Sequence, residues 1–168
     1  LVRPALPYLP SHAQALRRGW SLDLRGAQAA AEALDRLQAD ADAYLASLED
    51  HVGGASLTLP DGSQVAQLPG LQRWLWDGEF CGAIRLRWQP GSAELPPYCL
   101  GHIGYGVVPW KRRLGYAHAA LAQILPEARA LGLPYVDLTC DPANVASQRV
   151  IRAQRGVLIR EFVKPACL

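Results

Sequence analysis

The sequence predicts an α+β domain in which helices lie on a sheet. Three observations lead there: a first third rich in helix formers, a middle that alternates with period two around Asp77-Gly78, and a helical apolar stripe that directly follows a glycine-dotted apolar run. With 168 residues and neither repeats nor low-complexity stretches, the chain fits one domain spanning residues 1–168. At this size about 70% of the surface exposed by the unfolded chain is buried, so one core suffices without staples.

Residues 1–3 form a first strand. Residues 11–20 follow as a short helix, and residues 27–48 as a longer one, because their Ala, Leu, Glu and Gln side chains lose little freedom in a helix. Residues 53–70 and 89–98 hold the Pro and Gly of loops. Between them, residues 71–76, the pair Asp77-Gly78 and residues 79–88 predict a hairpin, since Asp-Gly supplies the positive φ angles of a two-residue turn. On its second strand Phe80, Ile84, Leu86 and Trp88 share one face, and Arg85 and Arg87 the other. Residues 100–108 read as another strand. Ala117, Leu121, Ile124, Leu125, Ala128 and Leu131 then recur at helical spacing over residues 115–131, until Gly132 and Pro134 stop the helix. Val136, Leu138 and Cys140 alternate as a strand, residues 141–144 open a helix of about three turns, and residues 156–163 give a last strand.

Half the residues are hydrophobic and 19% are charged, which argues against disorder. No apolar run approaches the roughly 20 residues of a spanning helix, and the N-terminus lacks the pattern of a leader, so the expectation is a cytoplasmic protein with no membrane partner. A net charge of +2 gives no footprint for nucleic acid. The one tight basic cluster, Lys111-Arg112-Arg113, suits a small phosphorylated ligand instead. Cys81, Cys99, Cys140 and Cys167 are scattered without a Cys-x-x-Cys pair, so no metal site is expected, and the thiols read as reduced and mostly buried.

The chemistry concentrates in Val108-Pro-Trp-Lys-Arg-Arg-Leu-Gly-Tyr-Ala117. A strand running into this segment and then a helix is an anion-binding arrangement, because backbone N–H groups at a helix N-terminus point outward unpaired and the helix dipole favours negative charge. Gly115 permits close backbone approach, Ala117 leaves room, and Lys111 to Arg113 add positive charge. Gly104-x-Gly106 also begins like a dinucleotide fingerprint, but Pro109 stands where its third glycine belongs.

Arg112-x-x-Gly115-x-Ala117, between a strand ending Val107-Val108 and an amphipathic helix, resembles the acetyl-CoA signature of the GNAT superfamily. The resemblance continues through Tyr135-Val-Asp-Leu-Thr-Cys-Asp141 and Asn144-x-x-Ser147, and so covers the second half of the chain; the first half fits the element order without a motif. It implies α/β/α layers around a mixed, mostly antiparallel sheet, and an N-acetyltransferase that moves an acetyl group from acetyl-CoA to a primary amine of a small molecule or peptide by direct attack on the thioester. It further implies that Lys111, Arg112, Arg113, Leu114, Gly115, Tyr116 and Ala117 surround the pyrophosphate, that Val107 and Val108 pair with the pantetheine arm, and that Asn144 and Ser147 contact the cofactor. The arm would enter where the strands over residues 100–108 and 135–140 splay apart. A homodimer is left open.

Such a transfer needs a positioned neutral amine, donors for the developing oxyanion, and a tolerable thiolate leaving group. By resemblance the N–H of Val107 or Val108 is the oxyanion donor. A tyrosine seven residues after the helix asparagine serves as the acid in many relatives, but here that residue is Ile151. The vacancy keeps a non-catalytic acyl-CoA-binding or sensor domain as the alternative. Tyr105 and Tyr116 are nearby proton donors, His102 is a candidate base because it titrates near neutrality, and Glu79 is a second candidate facing the acceptor.

Overall fold

The computed structural model describes residues 1–165, and Cys167 lies outside them. Helix α1 (Leu9–Arg17) follows a 3-10 turn at Leu6–Tyr8, and α2 (Ala27–Ala39) and α3 (Ala41–Ala46) come next. The single helix expected over residues 27–48 is broken at Asp40. That residue turns extended, and its carboxylate accepts the Ala43 N–H at 2.9 Å, the role of an N-cap. A short strand β1 (Glu49–Asp50) follows α3, and a small outlying hairpin, β2 (Ser56–Thr58) with β3 (Gln64–Ala66), lies within residues 53–70, which read as loop from their Pro and Gly content.

The main sheet has the order β1, β4 (Gly70–Trp76), β5 (Phe80–Arg87), β6 (Ile103–Val107), and every pairing is antiparallel. Val2 adds one bridge to Trp74, all that forms of the expected first strand. The hairpin connection is three residues, Asp77-Gly78-Glu79, since Trp76 pairs with Phe80 across a register shift. The extra residue in β5 is a bulge, and it reverses the parity of its first position. Phe80 therefore packs with Trp74, Ala83, Trp20 and Leu16 under α1–α3, not with Ile84 and Leu86 as plain alternation predicts. The other face carries Leu71, Leu75, Cys81, Ile84, Leu86 and Ile103 against α4 (Tyr116–Ala130), completing three layers.

Gly82 keeps β6 close to β5: a Cβ there would lie 2.1 Å from the Gly106 carbonyl oxygen, and the residue sits at φ +149. Beyond α4 the chain passes β6 without forming a ladder. The His102 N–H reaches the Asp137 carbonyl at 2.8 Å, but residues 138–140 make no backbone pairing with β6, contrary to the strand expected from Val136, Leu138 and Cys140. Helix α5 (Val145–Ala153) follows, capped by the Asn144 side chain, which accepts the Ser147 N–H at 3.0 Å. Residues 156–163, expected as the last strand, have no strand partner, and Val157, Leu158, Ile159, Phe162 and Val163 are exposed.

Candidate active site

The ladder between β5 and β6 determines which way each backbone group of β6 points. Arg87 N–H bonds the His102 carbonyl at 2.8 Å, and Val108 N–H bonds the Cys81 carbonyl at 2.9 Å. With the register Gly82↔Val107, Ala83↔Gly106 and Arg85↔Gly104, the even-numbered residues of β6 therefore face β5. Ile103, Tyr105 and Val107 aim their N–H and C=O groups at the sheet's open edge. Of the two oxyanion donors that the sequence offers, Val108 is spent on Cys81, and Val107 has no partner among the described residues.

The open edge is bounded at both ends. At one end residues 137–139 press against Gly101, whose added Cβ would stand 3.1 Å from the Asp137 carbonyl oxygen, and the Asp137 N–H bonds His102 Nδ1 at 3.0 Å. At the other, the Tyr105 hydroxyl meets Ser147 Oγ at 2.9 Å, tying β6 to α5. Between these ties the two segments part without a hydrogen bond among the described residues.

The edge leads straight into the anion-binding loop. After Val108 a 3-10 turn, Pro109–Lys111, is followed by Arg113 at φ +65 and by Gly115 at φ +83, the residue before α4. No partner among the described residues takes the N–H groups from Arg113 to His118, and the first intrahelical bond joins Ala119 to the Gly115 carbonyl. Consecutive unpaired amides around left-handed residues form a concave set of donors at the positive end of a 15-residue helix. Nothing lies within 4 Å of an added Gly115 Cβ, so the concavity is open. Leu114 is exposed and Ala117 half-buried beside it.

The basic cluster divides its work. Arg113 is exposed. Arg112 Nε turns back to the outward Val107 carbonyl at 3.4 Å, which places its guanidinium at the open edge. Lys111 Nζ is paired with Asp77 at 3.0 Å and with Glu79 at 3.4 Å. Asp77 also accepts from the Tyr116 hydroxyl, and these two donors hold its carboxyl well below the usual carboxylate range, while Tyr116 is pushed up to about 12 chiefly by the same bond. The hairpin tip thus clasps the loop from both sides of Gly115. Asp77 reads in the sequence only as a turn former. Its partners lie 34 and 39 residues away, a distance at which no local pattern reports a contact.

The candidate proton carriers separate on burial. His102 is fully buried; its Nδ1 accepts from the Asp137 N–H, while Nε2 has no hydrogen-bond partner among the described residues. Burial lowers its pKa more than Asp137 raises it, so the ring is neutral at pH 7 with its one lone pair already used. Glu79 is 69% exposed at the turn, beside Lys111 and outside β5. Tyr105 is half-buried, and its pKa is raised by burial ahead of the opposing Ser147 hydrogen bond, so it is a protonated donor at neutral pH. Asn144 Oδ1 is committed to capping α5, and Ile151 packs among the residues under α4. Cys81 and Cys99 are buried and Cys140 half-buried, all as free thiols, and no metal-binding group occurs among the described residues. No described helix is long and apolar enough to cross a membrane.

An open sheet edge that feeds a concave amide loop at a helix N-terminus, between a helical layer and α4, defines an acyltransferase-type domain. The family model described as the acetyltransferase (GNAT) family matches residues 16–156, most of the chain, and the protein belongs to that family. No curated protein and no solved structure matches it.

Proposed function

We propose that the protein transfers an acetyl group from acetyl-CoA to a primary amine of its acceptor, by direct attack of the amine on the thioester. The observation that carries this reading is the continuity of unpaired donors, from Tyr105 and Val107 on the β6 edge to the amides of Arg113–His118. An amide-containing arm satisfies the first set as an added strand would, and a diphosphate satisfies the second. In the transfer the amine lone pair forms the new C–N bond, the Val107 N–H stabilises the oxyanion, and collapse breaks the C–S bond. The sulfur takes a proton from the Tyr105 hydroxyl, the positively charged nitrogen of the intermediate loses one to water, and water returns one to Tyr105, so the products are the amide and the free thiol. Tyr105 thereby fills the role left open by Ile151. The pairing of Lys111 with Asp77 and Glu79 suits a lysine that braces the loop while the amides hold the phosphates.

Thiol release from acetyl-CoA, followed across a panel of amines, amino acids, aminoglycosides and peptides, tests the reading. Turnover on one acceptor class is expected. Tight acetyl-CoA binding with no turnover on any of them favours a non-catalytic sensor, and absence of binding overturns both.

A further inference from the structure

The face of the sheet opposite α4 changes character along its length. Trp74 and Ala83 pair across β4 and β5 beneath α1–α3, and two residues further along the same face come Gln72, Arg85 and Gly104, side by side in register. Gly104 places no side chain there, and nothing lies within 4 Å of an added Cβ. At Gly106 an added Cβ would meet Leu22 Cδ1 at 3.4 Å and Trp20 at 3.5 Å, so those side chains wall the space at the loop end. Solvent reaches Arg85, yet protein crowds it enough that desolvation, ahead of the neighbouring Arg87 charge, lowers its guanidinium pKa. Its exposed side chain therefore borders the open space over Gly104.

Positive charge gathers around that space, and no direct ion pair among the described residues neutralises it. Arg36 and Arg87 lie around Arg85, and the nearby carboxylate, Asp23, is bonded to Arg25 at 3.1 Å. No ion pair among the described residues includes Arg36, Arg85 or Arg87. Among the described residues the one side-chain bond of Arg85 is a long contact, 3.5 Å, from Nη2 to Gln72 Oε1, and the Gln72 amide N–H groups have no partner there. Arg87 donates to the Gly101 carbonyl at 3.2 Å, but its buried Nε has no partner. Clustered cations with unused N–H donors gain from an anion that accepts from several of them at once.

We infer that the acceptor is an amine bearing a carboxylate, and that Arg85, with Gln72 beside it, binds that carboxylate; this rests on the acyl-CoA reading above. Arg85 pairs with Gly104, and Gly104 lies three residues, about 10 Å, from Val107 along β6. A carboxylate anchored at Arg85 therefore leaves the amine end of the same molecule within reach of the edge where Val107 waits. Arg85 and Gln72 make the subsite selective, because a neutral amine leaves the guanidinium unpaired.

The test measures acetyl transfer to glycine, β-alanine, 4-aminobutyrate and 6-aminohexanoate, each against the alkylamine of equal chain length, with 2-aminoethylphosphonate as the phosphonate arm. At least one amino acid is expected to exceed its alkylamine by about tenfold or more in kcat/KM, as a charge-assisted hydrogen bond supplies. Arg85→Gln brings that ratio near one through the acceptor KM, while the KM for acetyl-CoA stays within about twofold, and Arg85→Lys keeps part of the preference. Alkylamines preferred throughout, the phosphonate preferred over every carboxylate, or a preference that survives in Arg85→Gln overturns the inference. Amide shifts of Gly104 during titration with the same amino acids read the subsite without turnover, so a protein that fails to bind acetyl-CoA sinks the acyl-CoA reading and leaves this one measurable. No Gly104 response to any of them overturns it.

Discussion

Acid lability should be traceable to His12 in the helical layer. This residue is 2% exposed, stacks on Trp74 with ring centroids 4.3 Å apart, and shares a 2.7 Å hydrogen bond between Nε2 and the Tyr44 hydroxyl. Its Nδ1 is buried without a partner among the described residues, so the protonated ring carries a charge and an Nδ1–H that no group accepts. Burial holds its pKa at about 3, against an ordinary 6.5. A histidine depressed in the folded state binds its proton preferentially in the unfolded chain. Its contribution to stability is complete above pH 6.5, erodes by about 1.4 kcal/mol per pH unit below it, and levels off near the folded pKa. Between pH 6.5 and 4.5 the loss is about 2 kcal/mol, a large share of the stability of an ordinary domain. With a urea m-value near 2 kcal/mol/M, the unfolding midpoint moves down by about 1 M over that interval. His102, also depressed, adds to the slope in the wild type, whereas carboxylates held low, such as Asp77, act only at more acid pH. Urea unfolding at several pH values, for the wild type and for His12→Gln, isolates the His12 part as the difference in slope. Equal slopes in the two proteins would refute the assignment.

Gly115→Ala costs about 1 kcal/mol at φ +83, a drop of roughly 3 °C in Tm, and raises the Kd for acetyl-CoA about tenfold or more by calorimetry, because the new methyl projects into the open loop. A Kd unchanged by the methyl places the phosphates elsewhere. Asp77→Asn removes the charge that Lys111 and Tyr116 share; the pairs are partly exposed, so the stability loss stays near 1 kcal/mol while the KM for acetyl-CoA rises and that for the acceptor does not. Equal rises in both constants would argue against a clasp specific to the loop. Tyr105→Phe lowers kcat by about a hundredfold with little change in the KM for acetyl-CoA, and flattens the alkaline limb of the kcat profile. A loss confined to KM makes the hydroxyl a tie to Ser147 and nothing more.

What the sequence carried and what it did not divides along physical lines. Helices α1, α2, α4 and α5, the β4–β5 hairpin and β6 were legible because each depends on neighbours within a few residues: propensity, period and caps. The loop at Gly115 was legible for the same reason, as its geometry follows from one glycine between a strand and a helix. Phe80 was misplaced because a bulge is a property of two strands together, and one strand read alone shows only its alternation. Asp40 broke a helix whose propensity runs on either side of it; a single Asp at an interruption looks like any other exposed polar residue until its N-cap bond is seen. Residues 136–140 and 156–163 have the composition of strands, but composition does not specify pairing: the first stretch parts from the open β6 edge after the His102–Asp137 bond, and the second has no strand partner among the described residues. Arg85 was visible as an outward residue on β5, and what gave it meaning, the glycine in register and the missing counterion, is a matter of three strands at once.

The parity of β6 yields the sharpest test of the site. An edge strand with unpaired groups is a hazard that proteins keep short, and here it is five residues long, with two glycines. Ties at His102–Asp137 and Tyr105–Ser147 bound the exposed stretch, so the outward amides of Tyr105 and Val107 stay available to a ligand yet sheltered from another chain's edge. Hydrogen exchange should therefore alternate along the strand. Gly104, Gly106 and Val108, bonded to β5, exchange slowly in the free protein, while Tyr105 and Val107 exchange fast. Saturating acetyl-CoA slows Val107 together with the amides of Arg113 to His118, because one ligand satisfies both sets, and leaves Gly104 and Gly106 as they were. Coenzyme A without the acetyl group protects the loop amides and leaves Val107 less slowed, since the carbonyl that Val107 would serve is missing. Protection that falls on the even-numbered residues, or equally on all of β6, would place the arm elsewhere and remove Val107 from the transfer step.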